Sequence, residues 1–517
     1  MNTPVTTPRI ALLLALTCIP RIMAIHHPHM VLEQDEAIGG LGAMHVLSGR
    51  PWPLFFYGSD YGFCLPETLL CAATIAVGGC CAESVKYAML PLFLSGVFFF
   101  YLLTRRLTDE KTAFAAAALL TIIPPWHQWS MQMRGGYLVA FALSGFTCWL
   151  ALRCSERVTS SGLWAAGISL GLIFHAQPFW FPGTAVFVAA VMVGNKQYQA
   201  AVTCGVVALA TIVVGRMALL TYTSAALPDV QTTWHPAVIR PQPISSAVMQ
   251  ASTLLLDHLS STDFGIRSTW WQSAAFAAIL ATAAALVICG VLACRGTLSA
   301  PLLATAVAVC GCLVSAALIV PNSRYMLPIS QWAILCCVLA SRAGRSVATE
   351  KPLRLAGAFV SGTIFVLTAV GLYDVWHDRR LPAERYTKTD LRLLLKAIDD
   401  RMIADCYVLN PVHQWPIIYA SGETIRARWI NDRDRCPRYQ RAVDEAWLAG
   451  RPTALVGETS LLNLPIVNGW AGGGRGRLDP AKVVFVPGTP FFIYPDPSIQ
   501  ILTDLEFHTV MTAGHGG

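Results

Sequence analysis

The sequence predicts an all-α polytopic membrane protein with about 11 transmembrane helices, each about 20 residues long, followed by a small C-terminal α/β domain. Of its 517 residues, 55% are hydrophobic and only 13% are charged, and the mean hydropathy is +0.52. Soluble domains carry about 25% charged residues, so this chain has too little polar surface to cover one soluble core. Its basic residues also fall in short segments between apolar runs. Membrane burial accounts for both observations.

The apolar runs set the number of predicted spans. The run at 65–79 is short for a span and contains Glu67, so we interpret it as a helix at the membrane surface. With that choice the basic segments between the spans fall on the cytoplasmic side, as the positive-inside rule requires. We therefore predict spans at 9–25, 86–104, 113–127, 137–152, 163–176, 178–194, 199–221, 272–294, 298–320, 325–341 and 355–373.

This orientation divides the chain into a transmembrane domain, residues 1–373, and an extracytoplasmic domain, residues 374–517. The transmembrane domain carries two outer loops, a candidate catalytic loop at 26–85 and a second at 222–271. The C-terminal part holds strand-like runs and an amphipathic helix, which is typical of a small α/β domain. The cysteines show no zinc-site spacing. Cys406 and Cys436 could pair if their domain is extracytoplasmic.

The first outer loop begins with an acidic run, Glu33-Gln34-Asp35-Glu36. Neighbouring carboxylates can have different pKa values, which suits a general base or a metal ligand. Gly39, Gly40 and Gly42 follow and allow close approach of backbone or ligand. The alternative is that Asp35 caps a helix over 36–47, with Glu36 at its positive end.

Further motifs follow in an order that resembles the GT-C superfamily of membrane glycosyltransferases. Within it, the chain resembles the family of protein O-mannosyltransferases, the aminoarabinose transferase of lipid A and the RgtA/B/C/D-type bacterial transferases. The likeness covers most of residues 9–373. The motifs that carry it, besides the outer Asp-Glu, are Tyr57-Gly58-Ser59-Asp60-Tyr61-Gly62, Leu65-Pro66-Glu67, Met133-Arg134-Gly135-Gly136-Tyr137, His175-Ala176-Gln177-Pro178 and Asn322-Ser323-Arg324-Tyr325-Met326-Leu327-Pro328.

The resemblance implies a hexosyl- or pentosyltransferase that uses a polyprenyl-phosphate sugar donor. The acceptor would be a glycan, lipid or protein at the extracytoplasmic face of a bacterial inner membrane. Asp35 matches the family's catalytic carboxylate, which deprotonates the acceptor hydroxyl. Glu36 would orient the acceptor or help Asp35 bind a divalent cation, Mg or Mn. An inverting displacement needs one such base, and a lipid phosphate leaves readily when a guanidinium neutralises its charge.

Other residues are candidates for substrate binding. Arg324 with Tyr325 either binds the donor phosphate or anchors the chain at the interface, and Arg134 and Arg50 are alternative phosphate partners. His175 and Gln177 either line a donor groove or cap backbone groups freed by Pro178. The lysine that some relatives place before the Pro-Leu of the surface helix is absent. The remaining candidates are Tyr57, Tyr61 and Glu67, the last as a partner of a sugar hydroxyl.

Two rival functions remain open. A transporter or lipid flippase would also be polytopic, but the halves do not repeat and acidic residues are scarce in the spans. A structural membrane protein would make the outer Asp-Glu incidental. No basic, aromatic-interleaved patch suggests a nucleic-acid partner.

Overall fold

The computed structural model describes residues 7–28, 30–59, 62–226, 269–294, 296–318, 327–346, 355–360, 362–363, 366, 386–430, 435–462, 478–498 and 502. Tyr61, Arg324 and Tyr325 lie outside the described residues, as does most of the 222–271 loop. The predicted domain boundary between residues 373 and 374 lies outside them as well.

Before residue 347, the described residues form helices joined by loops, as predicted. Four of these helices, α1, α4, α7 and α10, are long and apolar enough to cross a membrane, and shorter apolar helices coincide with other predicted spans. The total of about 11 spans stays a prediction. The helices are α1 (Thr7–Ile25), α2 (Gln34–Leu47), α3 (Leu65–Gly78), α4 (Ala82–Leu107), α5 (Glu110–Ile122), α6 (Pro124–Trp129), α7 (Tyr137–Glu156), α8 (Ser160–Ala176), α9 (Phe181–Gly194), α10 (Tyr198–Ala226), α11 (Thr269–Cys294), α12 (Ala300–Leu318) and α13 (Leu327–Ser346).

The long helices pack side by side and leave apolar stripes on the outside. Helix α7 packs against α4 and α8, α8 against α10, and α9 against α12. Along α10, Val202, Val206, Leu209 and Val213 are each at least 50% exposed and recur every three or four residues. Such a stripe is costly in water but stable against lipid tails. The outside of the bundle therefore has the character of a lipid-facing surface.

The C-terminal part contains the predicted small sheet. Its strand order is β2-β1-β3-β5-β4, in which β2, β1 and β3 are parallel and β5 and β4 are antiparallel additions. Cys406 and Cys436 are both buried and do not form the disulfide considered above. The elements are α14 (Lys388–Asp399), β1 (Asp405–Val408), α15 (Pro411–Ala420), β2 (Arg426–Trp429), α16 (Pro437–Leu448), β3 (Thr453–Glu458), β4 (Val484–Phe485) and β5 (Phe491–Pro495).

The sheet-containing part docks onto the first outer loop. Helix α15 packs against α2, and the Tyr419 hydroxyl donates to the Cys81 carbonyl at 3.1 Å. The Lys388 Nζ atom lies 2.6 Å from Glu83 Oε1. At Gly40 a Cβ would lie 2.6 Å from the Tyr419 ring, so only glycine permits this approach without a shift.

Helix α2 is consequently buried over most of its length. It lies between α3 and α15, and nine of its residues between Glu36 and His45 are buried. The surface of α2 that faces away from α3 is covered by the C-terminal part. Asp35 is thus carried on a helix fixed from two sides.

Candidate active site

Asp35 and Glu36 lie in the first turn of α2 and have different surroundings. Glu36 is fully buried, and its two carboxylate oxygens accept from Lys86 Nζ at 2.7 and 2.9 Å. Glu36 Oε2 also accepts the Glu33 N–H at 3.0 Å. The side chain of Asp35 is 18% exposed, and its buried Oδ1 has no hydrogen-bond partner among the described residues. Asp35 is therefore the carboxylate of the pair with an oxygen that no hydrogen bond already holds.

The acidic pair fits a divalent cation poorly in this arrangement. The ammonium of Lys86 occupies the position that a cation would take against both oxygens of Glu36. Within the described part of the chain, no group of three or more His, Cys, Asp and Glu side chains is arranged to hold a metal ion. Metal ligation by Asp35 and Glu36 stays a prediction from the resemblance, and we derive no step through a metal.

Arg134 is brought close to the start of α2. Its guanidinium forms an ion pair with Glu33 and lies 4.6 Å from the centroid of the Trp129 ring. Gln132 Nε2 donates to the other oxygen of Glu33 at 2.9 Å. Arg134 is thus paired with Glu33, which lies two residues before Asp35. Binding of Arg134 to a substrate phosphate would break this ion pair.

His175 and Gln177 join the predicted motifs through backbone groups. The His175 carbonyl accepts from the N–H groups of Gly62 and Phe63 at 3.0 Å. The Gln177 amide donates to the Gly135 carbonyl at 2.8 Å, and both side chains are buried. The structure therefore brings the hairpin, the Tyr-Gly loop and the Arg-Gly-Gly turn together. This geometry favours the capping role over the groove-lining role.

Glu67 also faces backbone. It is fully buried, and its Oε2 accepts the Gly136 N–H at 3.1 Å. Gly136 directly precedes α7, and the positive end of that helix favours a carboxylate. Burial raises the pKa of Glu67 to about 7. Glu67 holds the start of α7 in this structure and does not point into open space.

A second polar cluster joins the C-terminal part to the outer loop. Glu423 Oε1 accepts from the Tyr439 hydroxyl at 2.6 Å, from Arg438 at 3.1 Å and from Arg50 at 3.2 Å. Burial alone would raise the pKa of Glu423, but its hydrogen-bond donors and the nearby positive charges lower it to about 2. Arg50, a predicted phosphate partner, is therefore paired with a carboxylate of the C-terminal part.

His45 links this cluster to Tyr57. The His45 Nε2 atom lies 2.6 Å from Arg438 Nη2, and His45 Nδ1 lies 2.6 Å from the Tyr57 hydroxyl. Because a guanidinium only donates, Nε2 accepts and the proton is on Nδ1. Burial lowers the pKa of His45, and the charge of Arg438 acts in the same direction. Tyr57 is buried in this network, so its phenol orients the loop.

Arg435 connects the C-terminal part directly to Asp35. Its Nη1 lies 3.6 Å from Asp35 Oδ1, and its guanidinium lies 5.5 Å from the centroid of the Phe56 ring. Gly58 permits this approach, because a Cβ there would lie 2.7 Å from Arg435 Cγ. The site contains Asp35, the Phe56–Gly58 turn and Arg435.

Sequence reasoning missed Lys86, Glu423, Arg435 and Arg438. Lys86 carried a usable signal, because an ionisable residue at the start of an apolar span is expected to have a partner. The other three lie in a part of the chain interpreted as a separate domain. No local pattern indicates which of its charges face the outer loop.

Comparisons with known proteins support the fold. No protein-family model matches the chain, and no curated protein matches it in sequence. ArnT from Cupriavidus metallidurans in the apo state is 12% identical, with a TM-score of 0.56 over 95% of this chain and 98% of that chain. The same protein bound to undecaprenyl phosphate is 11% identical, with a TM-score of 0.53 over 96% and 99%. An oligosaccharyltransferase from Archaeoglobus fulgidus, in complex with Zn and sulfate, is 12% identical, with a TM-score of 0.50 over 88% and 68%.

These structures are GT-C glycosyltransferases. Similarity at this identity establishes the fold, and it extends over nearly the whole of both chains for ArnT. The predicted resemblance to the GT-C superfamily is therefore confirmed for the fold.

Proposed function

We propose that this protein is a membrane glycosyltransferase that moves a hexose or pentose from a polyprenyl-phosphate donor to a glycan, lipid or protein acceptor. The observation that carries the proposal is the state of Asp35. It is a carboxylate with a buried oxygen that accepts no hydrogen bond and that Arg435 approaches to 3.6 Å, fixed on a helix that is packed on two sides. A carboxylate that only capped its helix would have its oxygens on backbone N–H groups.

In the proposed reaction, Asp35 takes the proton of the acceptor hydroxyl. The acceptor oxygen forms a bond to the anomeric carbon as the bond from that carbon to the phosphate oxygen breaks. The bonding pair leaves with the lipid phosphate, and the configuration at the anomeric carbon inverts. Asp35 needs an ionised, positioned oxygen within hydrogen-bond reach of the hydroxyl. Glu36 contributes by fixing the first turn of α2 through Lys86.

The leaving phosphate needs a cation at headgroup depth. Arg324 with Tyr325 is the candidate from the sequence, because the engaged states of Arg134 and Arg50 make them weaker candidates. The similar fold of ArnT, solved with undecaprenyl phosphate, supports a lipid-phosphate donor. We place about 11 spans in a bacterial inner membrane, with the 26–85 loop and the C-terminal domain outside.

The test is sugar transfer in membranes that contain the full chain. A panel of radiolabelled polyprenyl-phosphate sugars is supplied to wild type, Asp35→Asn and Asp399→Asn. Asp399 is an exposed carboxylate on α14 and serves as the matched control. We expect label to move to a glycan, lipid or protein with wild type and Asp399→Asn, and transfer to fall at least about 100-fold with Asp35→Asn.

The thermal midpoint of each purified variant separates chemistry from folding. Asp35→Asn should melt with wild type, because the asparagine keeps the shape and Asp35 makes no hydrogen bond through Oδ1. Equal transfer by wild type and Asp35→Asn would remove Asp35 as the base. No transfer from any donor by wild type would favour the transporter or flippase alternative.

A further inference from the structure

Arg435 is the feature at the site that the reaction above leaves unused. Its Nη1 lies 3.6 Å from Asp35 Oδ1, and its side chain is 39% exposed. That distance is too long for a hydrogen bond, and an ion pair this exposed contributes at most about 1 kcal/mol. Docking of the C-terminal part already rests on Tyr419, Lys388 and Glu423. Stability therefore gives little reason for a guanidinium at this position.

The position of Arg435 is nevertheless built by the fold. The ring of Phe56 lies 5.5 Å from the guanidinium, and Gly58, at φ +74°, leaves the space that the side chain crosses. The next residue, Cys436, is buried immediately before α16. Arg438, one turn further, is held by Glu423. A long side chain fixed in this way loses less conformational entropy on binding a ligand than a free surface arginine.

Two further arginines lie near the turn that Arg435 contacts. Arg50, Arg435 and Arg438 have side chains 42%, 39% and 30% exposed. Arg435 packs against Gly58, and the charges of Arg50 and Arg438 act on the Tyr57 phenol. Within the described residues, the carboxylates paired with them are Asp35 and Glu423. Among the described residues, three guanidiniums therefore face two carboxylates. A partly exposed guanidinium that makes no hydrogen bond to Asp35 keeps N–H donors for a further anionic group.

The proposed reaction bears on the side of the sugar on which Arg435 lies. A base about 2.7 Å from the acceptor oxygen and an attack distance of about 3 Å put the leaving phosphate about 7 Å from Asp35. That phosphate is on the far side of the sugar from the base. A cation 3.6 Å from Asp35 lies within about 6 Å of the accepting oxygen whatever its direction, but it comes within about 4 Å of the phosphate only if it lies along the line of transfer.

We infer that the C-terminal domain forms the acceptor half of the active site, and that Arg435 binds an anionic group, a phosphate or a carboxylate, next to the accepting hydroxyl. The acceptor class is thus an acidic glycan or lipid. The planar guanidinium presents five N–H donors and suits bidentate binding of either group. This inference rests on the proposed glycosyl transfer and adds a specificity-determining residue to it.

The experiment uses the purified full chain and the labelled donor that wild type accepts. A solvent extract of bacterial membranes, split by anion exchange into anionic and neutral fractions, supplies the acceptors. The variants are Arg435→Gln, Arg435→Lys and the matched control Arg451→Gln, since Arg451 is an exposed arginine of the same domain. Rates are measured against the concentration of each fraction and, separately, of donor.

We expect wild type and Arg451→Gln to label the anionic fraction only. Arg435→Gln should need about 10- to 100-fold more of that fraction for half-maximal rate, as for loss of a charged hydrogen bond, with the KM for donor unchanged. Arg435→Lys should need an intermediate concentration of that fraction, because lysine keeps the positive charge but lacks the planar set of N–H donors of a guanidinium. An unchanged thermal midpoint shows that the loss is not unfolding, and Arg435→Lys carries the test if Arg435→Gln does not fold.

Three results would overturn the inference. Equal labelling of the neutral fraction by wild type would remove the acidic acceptor. A rise in the KM for donor with Arg435→Gln, without a rise in the KM for acceptor, would show that Arg435 binds the donor phosphate. Wild-type behaviour of Arg435→Gln would reduce Arg435 to a docking contact. In all three cases transfer by wild type would still stand, whereas its absence would remove the proposed function itself.

Discussion

Replacing Glu423 with glutamine tests whether the C-terminal domain is held on the outer loop by charge. Glutamine has nearly the shape of a protonated glutamate but no charge. Three donors, from Tyr439, Arg438 and Arg50, meet one oxygen of Glu423. Without the negative charge, the two guanidiniums remain next to each other at a partly buried site. We therefore expect Glu423→Gln to weaken the contact between the C-terminal part and the first outer loop.

The magnitude follows from the pKa of Glu423. A fall from 4.5 to about 2 corresponds to about 3 kcal/mol of stability at neutral pH. Part of that fall comes from a hydrogen bond and a charge of His45, which a neutral His45 that accepts from Arg438 does not supply. The side chain is 20% exposed, and solvent screens the charges, so we expect about 1–2 kcal/mol. The folded pKa is lower than the unfolded one. The stabilisation is therefore complete above pH 4.5 and is lost as the pH falls toward 2.

The assay is thermal unfolding of the detergent-purified full chain, followed by tryptophan fluorescence at pH 7.5 and at steps down to pH 3. Limited proteolysis at pH 7.5 reports release of the C-terminal domain. Glu423→Gln should unfold at lower temperature than wild type at pH 7.5, with the difference shrinking below pH 4.5. Glu445→Gln, at an exposed position on α16, is the matched control. Equal midpoints for Glu423→Gln and wild type at pH 7.5 would refute the reasoning.

Two further predictions concern the supports of Asp35. Lys86→Met leaves the buried Glu36 without its partner, and we expect a loss of about 3–5 kcal/mol, seen as a large drop in thermal midpoint. Adding Glu36→Gln should recover part of that loss; no recovery would mean that the two residues are not coupled. Gly58→Ala puts a Cβ 2.7 Å from Arg435 Cγ at a φ of +74°. It should destabilise by about 1 kcal/mol and raise the acceptor concentration needed for transfer, and wild-type kinetics would show that the position of Arg435 is not critical.

Hydropathy predicted most of the apolar helices because it acts locally. A helix that must lie in lipid has to be apolar over its own length, so most predicted spans overlap described helices. The Asp35 motif could be found because family resemblance preserves the order of residues in one loop. Arg134, which pairs with Glu33, and His175 and Gln177, which contact Gly62 and Gly135, were found in the same way.

What the sequence could not predict is contact between distant parts of the chain. Glu423 and Arg50 are 373 residues apart, and nothing in either segment specifies the other. Helix α2 is likewise covered by a segment that lies far away in the sequence. Its composition, rich in glycine and alanine, does not indicate which segment covers it.

The position of α2 between α3 and α15 has a consequence for biogenesis. Ribosomes make the chain from its N-terminus, so the helix that carries Asp35 is synthesised and exported long before the segment that covers its second side. Until Tyr419 reaches Gly40 and Arg435 reaches Asp35, the nascent protein has a complete first loop but an unfinished site. A product truncated within the last quarter of the chain would therefore keep the apolar helices but lack part of the surface that surrounds Asp35.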